Sequence, residues 1–264
     1  MKICSIASGS SGNCIYVGEG EDHILIDAGI SRKRIVDGLH EIDVEPEELS
    51  GILVTHEHID HVRGIPMMAK MFGTPVFATG GTLDELLFKD KNQDLKRENL
   101  YQVYAGEPVA IGKLKVTPFA MSHDAAEPVC YTVESAGKKV GMATDLGVYD
   151  EKIIFHLSGS DCILLEANHD ISMLEAGSYP YSLKRRILGD RGHLSNEAAG
   201  RLLCELYHKR LQYVFLSHLS KENNYPELAY EAVKCELWEG LGMNVLPFTM
   251  SVSERDKPSP PVVI

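Results

Sequence analysis

The sequence predicts an α+β fold in which two β-sheets pack face to face with helices on the outside. Three features of the chain predict it. Apolar runs of strand length alternate with segments of helical period along most of the 264 residues. The two halves echo one another: Leu53-Val54-Thr55-His56 matches Phe215-Leu216-Ser217-His218, and Leu25-Ile26-Asp27-Ala28-Gly29 matches Met142-Ala143-Thr144-Asp145-Leu146-Gly147. His and Asp recur just past the apolar runs, so polar chemistry gathers at strand exits, along one edge.

Strands are expected at Lys2–Ile6, Asn13–Val17 and His23–Asp27, the first two joined by Ser8-Gly9-Ser10-Ser11-Gly12. That stretch suits a turn needing positive φ better than an anion-binding nest. Asp27 is either a helix cap or a partner for a nearby ligand. A helix over about 32–41 follows, then a buried strand Gly51–Thr55. The next helix begins near Asp60 and ends near Phe72, with Gly73 as C-cap and Thr74-Pro75 as stop. Pro75–Thr79 reads as a short strand, and Thr82 as the N-cap of a helix to Phe88.

From Tyr101 to Asp145 the pattern is β-rich, with turns at Gly106, Gly112 and Ala136-Gly137-Lys138. Helices at Asp150–Leu157, Ser195–Tyr207 and Pro226–Glu239 then alternate with strands Cys162–Glu166 and Gln212–Leu216. Pro226 suits a first helical position, where its missing N–H costs nothing. Residues 1–250 read as a single domain, and residues 251–264, containing Lys257-Pro258-Ser259-Pro260-Pro261, as a mobile extended tail.

Composition bounds the function. Hydrophobic content of 44% and charged content of 24% are those of a soluble globular protein. No apolar run approaches the ~18 residues of a membrane span, and the N-terminus lacks the apolar stretch of a secretory signal. The 6 cysteines (4, 14, 130, 162, 204 and 235) form no Cys-x-x-Cys pair and read as small buried hydrophobes in a reducing compartment. A cytoplasmic protein is expected. The net charge of −12 argues against a polyanionic partner, although carboxylates that hold metal ions would account for part of it. Basic clusters at Arg32-Lys33-Arg34, Lys184-Arg185-Arg186 with Arg191, and Lys209-Arg210 run against that balance. On their own they read as solvated faces.

The chemistry concentrates in Val54-Thr55-His56-Glu57-His58-Ile59-Asp60-His61. Three imidazoles and a carboxylate at the exit of a buried strand have no good structural explanation, because burying them unpaired is costly. They are a metal-ligand set. His56 and His58 are two apart, so extended backbone points both to one side, while Asp60 and His61 follow where the helix begins. Glu57 points the other way and reads as a supporting or solvent group. His123, Asp145 and His218 sit at later strand exits. Each alone could be a cap or a core residue, but together they would complete ligands for two metals with a carboxylate to bridge.

His56-x-His58-x-Asp60-His61, followed in order by His123, Asp145 and His218, resembles the five-motif layout of the metallo-β-lactamase fold hydrolases, with Asp27 at the first motif. The resemblance implies a four-layer αββα sandwich of two mixed sheets and a dinuclear site between them. By that resemblance His56, His58 and His123 hold one metal, Asp60, His61 and His218 the other, and Asp145 bridges; Asp27 supports a ligand. Two such ions ~3.5–4 Å apart bring the pKa of a shared water toward ~7, which makes a metal-bound hydroxide the nucleophile. Asp60 could also accept the nucleophile's proton.

Which hydrolase this is turns on Gly189-Asp190-Arg191-Gly192-His193-Leu194-Ser195-Asn196 and Leu165-Glu166-Ala167-Asn168-His169. They are similar to the Gly-His and Glu-Ala elements of phosphodiesterase branches. There the His contacts the scissile phosphate and protonates the leaving oxygen, and the Glu partners it. Asp60, His193 and Glu166 are thus the catalytic expectation, with Arg191, Ser195 and Asn196 as phosphate contacts at a helix N-terminus. Ser-Gly-Ser-Ser-Gly-Asn-Cys, Thr-His-Glu-His-Ile-Asp-His, Ala-Thr-Asp-Leu-Gly, Glu-Ala-Asn-His-Asp and Gly-His-Leu-Ser-Asn together resemble the bacterial YycJ (WalJ) family. That resemblance implies a 5′→3′ exonuclease on double-stranded DNA, linked to DNA repair. The implied ions are zinc or manganese, with iron a third option. A small or cyclic phosphodiester hydrolase, an RNA-processing nuclease, and a thioesterase or lactonase of the same fold are the alternatives.

Overall fold

The computed structural model describes residues 1–242 and 245–264. The chain divides into two compact units: residues 1–120, 125–137 and 254–264 make the first, residues 121–124 and 138–253 the second. Each is discontinuous in sequence, and the crossings at 120–125, 137–138 and 253–254 carry no linker composition that would mark them.

The first unit opens with β1 (Lys2–Ala7), β2 (Cys14–Glu19) and β3 (Asp22–Ile26), paired antiparallel. Parallel strands β4 (Leu49–Leu53), β5 (Val76–Ala78) and β6 (Leu100–Gln102) extend the sheet from β3. Four helices come between them: α1 (Arg32–His40), α2 (Ile59–Val62), α3 (Ile65–Phe72) and α4 (Gly80–Lys89). Ile35, Leu39, Ile65 and Met68 from the helices share one core with Ile6, Tyr16, Leu25, Ile52 and Val54. An antiparallel meander follows: β7 (Val109–Ile111), β8 (Leu114–Ala120) and β9 (Val129–Ser135).

Three local expectations are corrected here. The strand expected at Gly51–Thr55 ends at Leu53, because the Thr55 N–H bonds the Asp27 carboxylate instead of a neighbouring strand. The helix expected from Asp60 to Phe72 is broken at Arg63–Gly64, since Pro66 lacks an N–H and its ring conflicts with the Val62 carbonyl. Gly73 does close it, at φ +67°. Thr82 lies inside α4, and the N-cap position belongs to Thr79, whose hydroxyl donates to the Glu127 carbonyl.

The second unit is built on four parallel strands: β10 (Lys138–Ala143), β11 (Cys162–Glu166), β12 (Tyr213–Ser217) and β13 (Thr249–Val252). Its helices are α5 (Glu151–Leu157), α6 (Ile171–Ala176), α7 (Tyr181–Ile187), α8 (Asn196–Leu206) and α9 (Pro226–Leu241). β11 is buried along its whole length, as a parallel strand covered on both faces must be. Gly200 lets α8 close on α9, where a Cβ would lie 2.5 Å from Glu236 Cβ. The last strand, β14 (Val262–Val263), returns to the first unit and pairs antiparallel with β1. The expected mobile tail is therefore attached: residues 251–252 lie in β13, Cys4 Sγ donates to the Ser259 carbonyl, and Ser259 is buried.

Backbone strain collects at strand exits. Asp27, Asp145 and His218 have φ of +59°, +60° and +57°, a region that non-glycine residues enter only when their surroundings hold them there. Glycines back the two aspartate turns. A Cβ on Gly29 would lie 1.6 Å from the Asp60 carbonyl oxygen, and one on Gly147 would lie 2.2 Å from the Asp190 carbonyl oxygen. The echo between the halves is thus structural: the Asp-x-Gly turns seat the loops that carry His61 and His193.

Past β11 the second unit buries an amide network. Asn168 Nδ2 donates to the His218 carbonyl at 2.9 Å, and its backbone N–H to the Leu194 carbonyl at 2.9 Å. Asn224 and Asn196 exchange side-chain hydrogen bonds at 2.8 and 3.1 Å. Beside them His169 is 1% exposed, and neither ring nitrogen has a hydrogen-bond partner among the described residues. Burial, only partly offset by Glu166, lowers its pKa to about 4.

Two outcomes follow. Gly29→Ala should lose more than the ~1–3 kcal/mol usual for overpacking, whereas Gly106→Ala, at φ +88° with open space around it, should lose only the ~1–2 kcal/mol of the left-handed backbone. Equal losses in urea unfolding would contradict the packing described. For His169 the folded pKa lies below the unfolded one, so its contribution is complete above pH ~6.5 and is lost as pH falls toward about 4. Between pH 7 and pH 4.5 the wild-type protein should lose roughly 2–3 kcal/mol more stability than His169→Phe. Parallel curves would show that His169 is already charged or already solvated.

Candidate functional site

In the first unit the site begins at Asp27. Its Oδ1 accepts the Thr55 N–H at 2.9 Å, and its Oδ2 accepts the Thr55 hydroxyl at 2.8 Å and His61 Nδ1 at 2.7 Å. The Thr55 hydroxyl, having given its proton to Asp27, accepts from His56 Nδ1 at 3.0 Å. Both imidazoles therefore carry the proton on Nδ1 and leave Nε2 as a lone-pair donor. Asn13 Nδ2 already donates to His61 Nε2 at 3.1 Å, which marks where that lone pair points. The rings of His56 and His58 meet edge to face at 4.6 Å, and those of His56 and His61 lie 4.2 Å apart. Asp60 Oδ2 is 3.6 Å from His61 Nε2. One cluster thus gathers Asp27, His56, His58, Asp60 and His61. Glu57 points away from it and accepts the Ala126 N–H at 2.9 Å.

In the second unit the organising group is Glu166, which is fully buried. Its Oε1 accepts His193 Nδ1 at 2.8 Å and His218 Nδ1 at 2.9 Å. Its Oε2 accepts the backbone N–H groups of Leu146, at 2.7 Å, and Leu194, at 3.3 Å. Burial pushes its carboxyl pKa up, but the charge and hydrogen bond of His193 and the hydrogen bond of His218 hold it below the usual carboxylate range. Asp145 Oδ1 lies 3.5 Å from both of those Nδ1 atoms and 3.9 Å from His123 Nε2. His123 Nδ1 donates to the Gly192 carbonyl at 3.2 Å, so this ring also presents Nε2. Burial lowers its pKa, which favours the neutral form a metal ligand needs. One donor atom from each of Asp145, Glu166, His193 and His218 falls within 4.8 Å of the others.

These two donor sets fit divalent metal ions. Four imidazoles, those of residues 56, 61, 123 and 218, hand their Nδ1 proton to a protein acceptor and present Nε2. Imidazole and carboxylate oxygen suit zinc, manganese or iron, and such hydrogen bonds behind the ligands orient them.

The substrate-contact expectations fare differently. Asn196 is fully buried and spends its amide on Asn224, so it cannot meet a phosphate from solvent, and that expectation is corrected. Ser195 is buried as well; its hydroxyl accepts the Ala198 N–H and caps α8. Arg191 is exposed, with Nε on the His123 carbonyl at 3.1 Å and its terminal nitrogens free to point outward. Glu166 has no exposed surface, so it touches His193 and His218 and is closed to a substrate from solvent. His193 keeps 14% of its side chain exposed, with Nε2 on the side away from Glu166. Sequence reasoning missed Asn13, Asn168 and Asn224. Asn13 and Asn168 stand inside the resembling motifs but carry no role there, and the amide nitrogens of all three donate across tertiary contacts.

A family model described as a beta-lactamase superfamily domain matches residues 22–218. The exodeoxyribonuclease YycJ of Bacillus anthracis is 36% identical over 244 residues, covering 92% of this chain and 92% of its own. The exodeoxyribonuclease WalJ of Streptococcus pneumoniae is 36% identical over 249 residues, covering 93% and 91%. Among solved structures, the metallo-beta-lactamase fold protein YhfI of Bacillus subtilis matches with a TM-score of 0.70 over 98% of each chain at 16% identity, a likeness of fold. The chain has the metallo-β-lactamase fold and belongs to that superfamily of metal-dependent hydrolases, in the family of the YycJ and WalJ exodeoxyribonucleases.

Proposed function

We propose that this protein is a dinuclear metal-dependent phosphodiesterase that acts as a 5′→3′ exonuclease on double-stranded DNA, in the cytoplasm, in the repair of DNA. His56, His58 and His123 would hold one ion, Asp60, His61 and His218 the other, and Asp145 would bridge them. The family's order of motifs supports this assignment, and so does the Nδ1–H pattern of four of the imidazoles. When bound, the two ions supply an activated water and neutralise charge that grows on the phosphate.

The observation that carries the reading is the pairing of His193 with Glu166 at 2.8 Å. Glu166 holds the ring on Nδ1 and turns Nε2 outward, where a proton on that nitrogen can pass to a departing oxygen. Phosphodiester cleavage needs that proton because its leaving group is an alkoxide. The thiolate of a thioester needs it far less. Asp60, 21% exposed, would take a proton from the attacking water. Arg191 offers its outward guanidinium nitrogens to a phosphate oxygen.

Two ends of the DNA discriminate the readings. Protein reloaded with manganese or zinc should release short products from 5′-labelled duplex and leave 3′ label on long fragments. Asp60→Ala should abolish release. His193→Ala should lower kcat by the roughly 10²–10⁴-fold typical of a general acid, and Glu166→Gln should lower it in the same direction by misplacing His193. Duplex left intact while a small phosphodiester is hydrolysed would overturn the exonuclease reading. His193→Ala with unchanged turnover of a thioester or lactone would overturn the phosphodiesterase reading altogether.

A further inference from the structure

Helix α7 is fixed along its C-terminal half. Arg186 grips Asp124 with Nε at 2.5 Å and a terminal nitrogen at 3.0 Å, directly beside His123. The Ile187 carbonyl accepts the His193 N–H at 3.0 Å. Lys184 caps the preceding turn by donating to the Glu175 and Gly177 carbonyls, both at 2.7 Å. Two of the three cations of the Lys184-Arg185-Arg186 cluster therefore serve structure.

Arg185 does not. It is exposed, no carboxylate pairs with it among the described residues, and its guanidinium lies over the ring of Tyr181, 6.0 Å from the centroid. Tyr181 is 76% exposed. An aromatic ring of that size turned to water beside an unneutralised cation is a poor surface for a protein of net charge −12 and a good one for a polyanion with flat bases. Tyr181 precedes Ile187 by six residues, about 9 Å of helix, and the Ile187 carbonyl holds the His193 N–H, which puts the ring within a few nucleotides of His193.

We infer that Tyr181 and Arg185 form a stacking platform for an unpaired nucleobase of the DNA strand being degraded, a few nucleotides from the phosphate that His193 meets. The ring takes the base and Arg185 the adjoining phosphate. This rests on the exonuclease reading above and adds to it the contact that holds a frayed strand in register.

The test uses metal-loaded protein and a DNA duplex with a frayed 5′ end and cleavage-resistant linkages. 2-Aminopurine is placed in turn at each of the first four nucleotides. One position should show a fluorescence change on binding. Tyr181→Ala should abolish that signal and weaken binding roughly five- to 150-fold, the range of one base–aromatic stack, while Tyr181→Phe should retain both. Arg185→Gln should flatten the slope of log K against log salt by about 0.7, one phosphate on single-stranded DNA. Wild-type protein that binds and cuts DNA, with Tyr181→Ala and Arg185→Gln indistinguishable from it, would overturn the platform and leave the exonuclease reading intact. Wild-type protein that neither binds nor cuts any DNA but hydrolyses a small phosphodiester would overturn both.

Discussion

The second unit depends on one buried carboxylate. Glu166 accepts four hydrogen bonds, and they come from three separate loops: Leu146 beside Asp145, His193 and Leu194, and His218. Each of those loops follows a parallel strand or leads into a helix, so the strands deliver the loops and the carboxylate sets their register. A fully buried charge is tolerated only when its lone pairs are filled, and here they are filled by the groups whose placement matters. Asp27 does the same in the first unit, where Thr55 and His61 converge on it from two further loops. Both acids sit behind the histidines. They choose which ring nitrogen keeps its proton, and so which nitrogen remains for a metal.

Strain and space serve the same end. Asp27, Asp145 and His218 hold left-handed backbone at strand exits, and Gly29 and Gly147 let neighbouring loops come within contact of their turns. A preorganised site needs its side chains fixed before substrate arrives, and this architecture fixes them through backbone and buried hydrogen bonds. His193 is the exception that chemistry requires. It is held on one nitrogen and open on the other.

Much of this was legible in the sequence for identifiable reasons. The strands around the site are short apolar runs with turn residues at their ends, and β11 spans the residues expected for it, Cys162–Glu166. His56-x-His58-x-Asp60-His61 stands out because such residues do not cluster at a strand exit by structural need. What stayed hidden required either tertiary contacts or very short elements. α6 and α7 have six and seven residues and little apolar period, and β14 has two. Asn196 looked like a surface phosphate contact because it follows a serine N-cap, yet its amide is locked to Asn224 from a distant loop. The fourfold role of Glu166 was invisible too, since three of its four donors lie far from one another in the chain.

The claim at the centre of this account is that buried acceptors force the Nδ1–H tautomer on the histidines and leave Nε2 for the ions. Nitrogen-15 NMR of the imidazoles in zinc-loaded protein tests it directly. The account predicts protonated Nδ1 and metal-shifted Nε2 for His56, His61, His123 and His218, with a loss of that pattern at His61 in Asp27→Ala. Protonated Nε2 at these histidines, or a pattern unchanged in Asp27→Ala, would contradict it.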